Sequence, residues 1–413
     1  MRVLFLVTDD WFFWSHRVGL ARAVRDAGGE VVVVTKGGAF SDRIRDEGFE
    51  LETLSFGRSL LGQMANLGLA RKLARIYREK RPDVCHHVSF LPIHYGSAAA
   101  RQAGVPAVVN AVTGLGRVFI DDGRAALRKL VERAYRKAAE SGAGGGAPRT
   151  HTLFQNPDDQ ALFLERGLCS EEASSVVNGS GVDLERFYVA PEPPIAVDRP
   201  PVVLFCSRML KSKGVQDLVE AGTLLREAGV DHQLVLVGEP HVDNPDSIPR
   251  ALLEQWNLTG RARWLGRRDD IPELLAGSHV VALPSYYREG VPLALIEGAA
   301  AGRPLVTTDM PGCREIVRHE ENGLLVRPQS PSELAEALGR LIGNSEERLR
   351  MGARGRELVV RNFCATIVHE AVLSTYRRLL GEEESEEHPQ LELRPASLVP
   401  SEPPARISRA ASE

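Results

Sequence analysis

Short apolar runs alternate with longer amphipathic segments along most of the chain. The runs are rich in β-branched residues and too short for helices, so we predict that they are strands. In the first half the predicted strands are residues 3–7, 31–35, 84–87 and 107–110, with helices over 18–27 and 64–78. The pattern begins again at Val202, with predicted strands at 202–206, 233–237, 262–265, 280–283 and 305–307 and a helix over 216–227. This alternation is typical of βαβ units, and it predicts an α/β protein with two Rossmann-like domains.

Proline and glycine mark the expected boundaries. Prolines at 191, 193, 194, 200 and 201 disfavour a helix or a central strand, so we predict a linker over 191–200. The first domain is then 1–190 and the second 201–360. Three consecutive glycines within 142–146 predict a flexible surface loop. Residues 381–413 contain eight Glu and three Arg and offer little to bury, which predicts a disordered acidic tail.

The composition of the chain argues against several classes of function. Lys and Arg total 51 against 55 for Asp and Glu, and the net charge of −4 lacks the basic excess of a nucleic-acid binder. The five cysteines contain no CxxC pair, which argues against a zinc site or a disulfide framework and favours a reducing cytoplasm. The chain starts directly with an apolar strand and has no run of about 18 apolar residues, so neither a secretory leader nor a membrane span is predicted.

Two common nucleotide-binding motifs are absent. No predicted strand is followed by G-x-G-x-x-G, and no G-x-x-x-x-G-K-[ST] occurs. Arg208 and Lys213 instead follow the strand at 202–206 and precede a helix. Ligands of open α/β sheets bind at the carboxyl ends of strands, where these two cations suit a diphosphate. From charge alone, the alternative that they only solvate the helix start stays equally open.

A second candidate segment follows the strand at 280–283. It reads Glu289-Gly290-Val291-Pro292-Leu293, and its proline suits the first turn of a helix. The free N–H groups of that turn suit a phosphate or a sugar hydroxyl. Glu289 lies in the loop and Glu297 about two turns into the helix, so the carboxylates can reach opposite ends of one elongated ligand. The neighbours of Glu297 are apolar or small, which argues against a solvent-facing position for it.

The first half offers fewer candidates. His16 and Arg17 follow the first strand, where they can contact a hydroxyl and a diphosphate or simply begin a helix. The aromatic run at 11–14 either lines a substrate route or packs between elements, and packing is the default expectation. Residues 124–137 carry six basic side chains and one acidic one at helical spacing. This helix can lie on an anionic membrane surface or pack its apolar face on the core.

Taken together, these motifs resemble the retaining glycosyltransferases of family four, which have the GT-B fold and use nucleotide sugars. The resemblance rests on Arg208 with Lys213, on Glu289 with Glu297, and on the segments 302–308, 311–317 and 322–326. In the first half, segments 14–17, 154–159 and 179–183 look like bacterial members that extend polyprenyl-diphosphate-linked saccharides. The resemblance covers most of residues 1–380. It implies two domains that face a central cleft, with a helix at 361–380 that crosses back to the first domain.

The resemblance also implies roles for individual residues. Arg208 and Lys213 would neutralise the leaving diphosphate without a metal ion, and Glu297 would accept the ribose hydroxyls. Glu289 would hold the donor sugar together with the segment Gly290, Val291, Pro292 and Leu293. His16, Arg17 and His87 would bind the acceptor. Many relatives carry a histidine two residues beyond the strand histidine, where this chain has Val88, and His87 is the candidate substitute.

The expected function is transfer of a hexose or N-acetylhexosamine from a nucleotide sugar, with UDP favoured, to a lipid-linked saccharide. The sugar nucleotide is a co-substrate, and no cofactor, metal or nucleic acid is expected. The resemblance places the protein in the cytoplasm, at the inner face of the plasma membrane if residues 124–137 bind lipid. Two rivals remain, a GT-B epimerase or phosphorylase and a non-catalytic nucleotide- or sugar-binding scaffold.

Overall fold

The computed structural model contains two separate parallel sheets, one in each half of the chain. It describes residues 1–56, 67–115, 119, 125–141, 147–241 and 244–382. The first sheet has seven strands in the order β3-β2-β1-β4-β5-β6-β7, and the second has six in the order β10-β9-β8-β11-β12-β13. The strands are β1 Arg2–Asp9, β2 Glu30–Lys36, β3 Glu50–Thr53, β4 Val84–Val88, β5 Ala107–Val112, β6 Arg149–Phe154, β7 Ser174–Val176, β8 Val202–Cys206, β9 Gln233–Val237, β10 Arg263–Trp264, β11 Val280–Leu283, β12 Leu305–Thr308 and β13 Gly323–Val326.

Helices follow most strands and cover the faces of the sheets. They are α1 Asp10–His16, α2 Val18–Asp26, α3 Ser41–Asp46, α4 Leu67–Lys80, α5 Phe90–Ala103, α6 Ala125–Ala139, α7 Pro157–Glu165, α8 Val215–Glu227, α9 Arg250–Leu258, α10 Ile271–Ala276, α11 Leu293–Ala300, α12 Cys313–Ile316, α13 Pro331–Gly343, α14 Ser345–Asn362 and α15 Ala365–Leu380. Among the described helices, none is both long enough and apolar enough to cross a bilayer.

Burial on both faces explains why the strands are almost continuously apolar. In β1, the run from Val3 to Val7 is at most 1% exposed, with its side chains divided between two apolar cores on opposite faces of the sheet. Parallel sheets covered by helices on both sides require such strands, whereas a half-exposed sheet would alternate polar and apolar positions. The predicted α/β fold with two Rossmann-like sheets is confirmed.

The strand order reverses direction once in each sheet. In the first sheet the reversal lies between β1 and β4, and in the second between β8 and β11. Ligands of doubly wound sheets bind at the carboxyl ends of the strands at this point. The segments that follow β1, β8 and β11 contain His16 and Arg17, Arg208 and Lys213, and Glu289, respectively.

The carboxyl-terminal segment differs from the single helix expected over 361–380. Helix α14 ends at Asn362, and α15 begins at Ala365 after a break. The break is fixed by backbone hydrogen bonds, because Val182 N donates to Phe363 O at 2.9 Å and Ala365 N donates to Val182 O at 2.9 Å. Helix α15 then packs against α2 and the strands β5 and β6 of the first half.

The segment between the halves is anchored rather than free. It has no helix or long strand, but Glu192 pairs with the guanidinium of Arg348, which is 2% exposed. The predicted loop at 142–146, the acidic tail from 383 onward and the first residues of the helix predicted over 64–78 lie outside the described residues.

Candidate active site

The first part of the site is the turn between β8 and α8. Arg208 follows the strand, and Lys213 ends a short 3₁₀ turn just before Gly214. Gly214 has φ +74°, and a Cβ there would come within 2.0 Å of the carbonyl oxygen of Pro284. The turn can therefore pack against the end of β11 only with glycine at this position, and this packing fixes Lys213 beside the loop that carries Glu289.

Lys213 and Glu289 form a buried ion pair. Each residue is 8% exposed, and Lys213 Nζ donates to Glu289 Oε1. The hydroxyl of Ser285 lies 2.8 Å from the same oxygen, close enough to donate to it. An ammonium group has three donors, so Lys213 keeps two N–H groups for a ligand.

The loop from Gly290 to Leu293 reaches α11 as predicted, and Pro292 is the N-cap residue of that helix. The Val291 N–H is not free, because it donates to Gln155 Oε1 of the first half at 3.2 Å. A Cβ on Gly290 would lie 1.8 Å from the same oxygen, so only glycine allows this approach. In this structure Gln155 thus holds a backbone donor that the sequence analysis assigned to the sugar nucleotide.

Glu297 lies one turn further into α11. Burial raises the pKa of its carboxyl group to about 8, and the charge of Arg186 lowers it only weakly. Burial raises the pKa of the Cys206 thiol, and the negative charge of Glu297 raises it further, which places the Glu297 carboxyl group near the end of β8. No ion pair of Glu297 is found among the described residues, and a buried carboxyl group of this kind suits hydroxyl groups of a ligand.

The first half supplies the opposite wall. The ring of Trp11 lies 5.8 Å from the guanidinium carbon of Arg208, in cation–π geometry. His16 stacks on Phe12 at 4.2 Å, and its Nδ1 lies 2.6 Å from the hydroxyl of Ser15. Burial, followed by the positive charges of Arg17, Arg208 and Lys213, lowers the pKa of His16 to about 3. His16 is therefore neutral and lies between the cations of the two halves.

Arg17 points into the first half instead of the open cleft. It is 6% exposed and donates from Nη1 to His16 O at 2.8 Å and to the Ser180 hydroxyl at 2.9 Å. With His16, His86 and His369 it lines a cavity of about 30 Å³ beneath α15. The sequence-based prediction assigned the neighbouring His87 to the acceptor and gave no role to His86.

The structure does not support the predicted acceptor contact of His87. Its side chain is fully buried, Nδ1 lies 3.0 Å from Asn110 Oδ1, and Nε2 lies 3.2 Å from the Tyr77 hydroxyl. Burial lowers its pKa to about 4. Both ring nitrogens thus have protein partners inside the core. Alternation along β4 turns adjacent residues to opposite faces, so His86 reaches the α15 side while His87 packs under α4 and α5.

Further contacts between the halves lie in two regions of the cleft. The first is at the Glu289 loop, where Asn156 Nδ2 donates to Glu289 O at 3.0 Å and Arg288 Nε donates to Asp159 Oδ1 at 2.7 Å. The second is at the other end, where the Arg267 guanidinium lies 4.4 Å from the Phe40 ring. Segment 154–159 entered the sequence predictions only as part of the family resemblance. Its one local signal was the Asn-Pro helix start, which predicts a cap and not a contact between domains.

The arrangement can neutralise a diphosphate, accept hydrogen bonds from hydroxyl groups at two separated carboxyl groups, and offer a neutral imidazole from the opposite wall. Within the described ranges, no group of three His, Cys, Asp or Glu side chains is placed to hold a metal ion.

Comparison with known proteins agrees with this chemistry. Residues 200–344 match the family model of glycosyl transferases group 1, and residues 2–140 match that of glycosyl transferase 4-like domains. Together the two matches cover more than two thirds of the chain.

Among curated relatives, the chain is 27% identical over 390 residues to N,N'-diacetylbacillosaminyl-diphospho-undecaprenol alpha-1,3-N-acetylgalactosaminyltransferase of Campylobacter jejuni, covering 92% of this chain and 99% of the relative. It is 28% identical over 343 residues to UDP-Gal:alpha-D-GlcNAc-diphosphoundecaprenol alpha-1,3-galactosyltransferase of Escherichia coli, covering 80% and 84% of the two chains.

Solved structures establish the fold. HepE of Anabaena, crystallised with UDP and glucose, superposes with a TM-score of 0.73 at 21% identity over 91% of this chain and 99% of that one. Sucrose-phosphate synthase of Thermosynechococcus elongatus gives a TM-score of 0.72 at 21% identity, over 93% and 100%. With both halves matched by the family models and the two-sheet architecture shared, the chain belongs to the GT-B glycosyltransferases of family four.

Proposed function

We propose that this glycosyltransferase moves a hexose or N-acetylhexosamine from a UDP-sugar to a polyprenyl-diphosphate-linked saccharide, with retention of anomeric configuration. The observation that carries the proposal is the convergence on one cleft of the Lys213–Glu289 pair and Arg208 with His16 on the opposite wall. The two curated relatives described above act on undecaprenyl-diphosphate-linked sugars, and HepE binds UDP, which supports this choice of substrates.

On the donor side, the charge of the departing diphosphate is the main electrostatic demand. Arg208 and the two remaining N–H groups of Lys213 neutralise it as the bond to the sugar breaks, a role that needs no metal ion. Glu297 accepts hydrogen bonds from the ribose hydroxyls, and Glu289 binds the donor sugar. Pro292 and Leu293 begin the helix, and the backbone of Gly290 and Val291 just before them faces the phosphates. For this, the hydrogen bond from the Val291 N–H to Gln155 must break.

On the acceptor side, His16 orients the attacking hydroxyl. Its Nδ1 lies beside the Ser15 hydroxyl, which leaves Nε2 for the acceptor. The pKa of about 3 makes this imidazole a hydrogen-bond acceptor and a poor base. The hydroxyl oxygen bonds to the anomeric carbon from the face that the diphosphate leaves, and its proton passes to the departing phosphate oxygen. Glu289 therefore positions the sugar without forming a covalent intermediate.

A transfer assay tests the proposal. The parent protein is incubated with UDP-, GDP- and ADP-sugars and a short-chain polyprenyl-diphosphate N-acetylhexosamine, and the product is followed by mass spectrometry and its anomeric configuration by NMR. We expect acceptor-dependent product with UDP-sugars, no loss of rate in EDTA, and an α-linkage from an α-linked donor. Loss of donor without an acceptor would favour an epimerase or phosphorylase, and nucleotide binding without turnover would favour a scaffold.

A lipid-linked acceptor requires contact with a membrane surface, and helix α6 suits it. Its exposed face carries Lys129, Arg133 and Lys137 around Leu130, which is 40% exposed. Its opposite face buries Val131 and Tyr135 against β6 and α7. The apolar stripe packs inward, as one alternative from the sequence has it, and the exposed basic face on the other side is the surface that we propose for anionic lipid.

Vesicle sedimentation tests this contact. We expect the protein to sediment with vesicles that contain phosphatidylglycerol and to remain in solution with neutral vesicles. Lys129→Glu with Arg133→Glu should abolish sedimentation. A matched double charge reversal of exposed arginines in the second half, Arg263→Glu with Arg361→Glu, should leave it unchanged. Equal loss in both double variants would show that net charge, not this helix face, governs binding.

A further inference from the structure

The cavity beneath α15 contains a buried cation without a counterion. No carboxylate is among the described residues that line it. Arg17 has only one carbonyl oxygen and one hydroxyl as partners, and its Nε is buried without any hydrogen-bond partner among the described residues. A buried guanidinium costs several kcal/mol unless it is paired, so this arrangement needs a reason.

Other buried arginines of this chain show how the protein satisfies such a group. Arg348, 2% exposed, is held by both carboxylate oxygens of Glu192 and by two backbone carbonyls. Arg303, 3% exposed, donates from Nε to Leu275 O at 3.0 Å and from Nη2 to Ala276 O at 3.0 Å. In both, the Nε donor is occupied. Arg17 differs from them in leaving that donor open beside a cavity.

A second donor without a partner lies on the same cavity. His86 is 1% exposed, its Nδ1 lies 2.6 Å from the Tyr376 hydroxyl, and its Nε2 is buried without a hydrogen-bond partner in the described structure. When Tyr376 donates to Nδ1, the remaining ring proton sits on Nε2 and makes that atom a donor. Arg17 and His86 then offer N–H groups to one small space.

We propose that this cavity is an anion site that receives one phosphoryl group of the acceptor's diphosphate. The assignment of the acceptor rests on the proposed function, whereas the anion site stands on the contacts just described. Arg17 supplies the charge and a free Nε donor, His86 a neutral donor, and the Ser180 hydroxyl orients Arg17 from the opposite side.

The size and place of the cavity agree with such an occupant. A volume of about 30 Å³ admits roughly two water-sized atoms, which suits phosphoryl oxygens and excludes a sugar ring. His16 lines the cavity and also lies within the field of Arg208 and Lys213. A diphosphate held at Arg17 would therefore place the sugar attached to it at His16, next to the donor.

The site also gives α15 a functional reason to cross back to the first half. Val368, His369 and Val372 close the cavity from that helix, and His369 hydrogen-bonds the backbone of Ser180. The pKa of His369 is lowered to about 4 by burial, so this wall adds no second positive charge. Arg17 is then the cation that selects an anion.

The first test measures binding of inorganic phosphate with the donor site filled by saturating UDP. Phosphate should raise the thermal midpoint of the parent, since a ligand that binds the folded state stabilises it. Arg17→Gln should lose this shift. Arg303→Gln removes another buried arginine and controls for general loss of stability; it should lower the midpoint but keep the phosphate shift.

The second test is kinetic and distinguishes a lipid-linked diphosphate from free phosphate. In Arg17→Gln the KM for the polyprenyl-diphosphate acceptor should rise at least about tenfold, equivalent to ~1.4 kcal/mol, with the KM for the UDP-sugar within a factor of about two. Arg17→Lys should recover part of the loss. Ser180→Ala, which keeps the charge but loosens Arg17, should show a smaller rise and serves if Arg17→Gln does not fold.

Three outcomes would overturn the proposal in different ways. An equal phosphate shift in the parent and Arg17→Gln would remove the anion site. A shift lost in Arg17→Gln with an unchanged acceptor KM would make free phosphate the occupant and refute the acceptor assignment. A parent that transfers to no lipid-linked acceptor would refute the proposed function, while the phosphate measurement would still decide whether the cavity binds an anion.

Discussion

The guanidinium of Arg288 donates from Nε to Oδ1 of Asp159 at 2.7 Å, and the carboxylate is 1% exposed. Arg288 immediately precedes Glu289, and Asp159 lies in the first turn of α7 in the other half. The position of the Glu289 carboxylate thus depends on a contact between the halves. Burial raises the pKa of Asp159, and Arg288 opposes that shift.

Asp159→Asn should weaken this contact. We expect a loss of about 1–3 kcal/mol in the free energy of unfolding, because the pair is largely buried, and roughly a tenfold fall in kcat/KM. Asp269→Asn breaks the exposed interhalf pair with Arg43, in which Nη2 and Oδ2 are 3.5 Å apart, and should cost less than about 0.5 kcal/mol. Denaturant unfolding and initial rates of both variants check this, and equal effects would contradict a special role for Asp159.

Glu289→Gln should separate binding from turnover. The neutral amide can accept a hydrogen bond from the Lys213 ammonium but cannot form an ion pair with it, so the sugar loses a charged anchor and Lys213 is held less firmly. We expect kcat to fall on the order of 10²-fold while UDP still binds. Calorimetric titration with UDP and a transfer assay measure the two effects, with Glu220→Gln on the exposed face of α8 as control. A kcat near the parent value would remove Glu289 from the active site.

Glu297→Gln should improve stability at high pH while it weakens donor binding. The folded-state pKa of about 8 lies above the ordinary value of 4.5, so between these limits the folded protein holds a proton that the unfolded chain has lost. Stability therefore falls as pH rises through that range. The variant has no such cost, and its thermal midpoint should exceed that of the parent at pH 9 by more than at pH 5. A constant difference would show that Glu297 does not titrate there.

Trp11→Leu should weaken donor binding without affecting the fold. Its ring lies on the Arg208 guanidinium, and a cation–π contact contributes about 0.5–1 kcal/mol, which corresponds to roughly a two- to fivefold rise in the Kd for UDP. Trp14→Leu is the matched control, since its ring lies 5.8 Å from Arg22 and from Arg43 instead. Similar losses in the two variants would indicate a general packing effect.

Lowering the pH from about 6.5 toward 4 should destabilise the first half. Burial lowers the pKa of His87, His151 and His369 to about 4 and that of His16 to about 3, against 6.5 in an unfolded chain. The unfolded chain binds more protons below pH 6.5, so stability is retained above that pH and is lost as pH falls toward 4. Thermal midpoints between pH 7 and pH 5 should decline, and more slowly in His87→Gln than in the exposed variant His319→Gln. Parallel declines would contradict this origin.

The sequence predicted most strands of both sheets, since buried parallel strands are continuously apolar and short. The predicted strands do not include β3, with only four residues of which two are Glu, β7, with only three, β6, which begins with the polar run Arg149 to Thr152, or β13. The candidate donor residues in the second half stay a prediction; they lie around the ends of β8 and β11, and the structure brings Lys213 and Glu289 into contact. The sequence analysis assigned His87 to the acceptor, although the side chain is buried in the core, because a strand histidine on either face has the same local sequence and only packing shows which face it occupies.

By itself the sequence determined the two α/β halves and the family, and it predicted which charged groups would meet a diphosphate, since these follow from hydrophobic period and from residues near each other in the chain. Only the tertiary structure decided which residues from distant segments of the chain contact each other. It pairs Asp159 with Arg288, places Gln155 on the Val291 N–H, and buries Arg17 beside His86 under α15. These contacts join residues more than a hundred positions apart or on separate strands and helices, and packing of whole elements, which no local pattern encodes, brings them together.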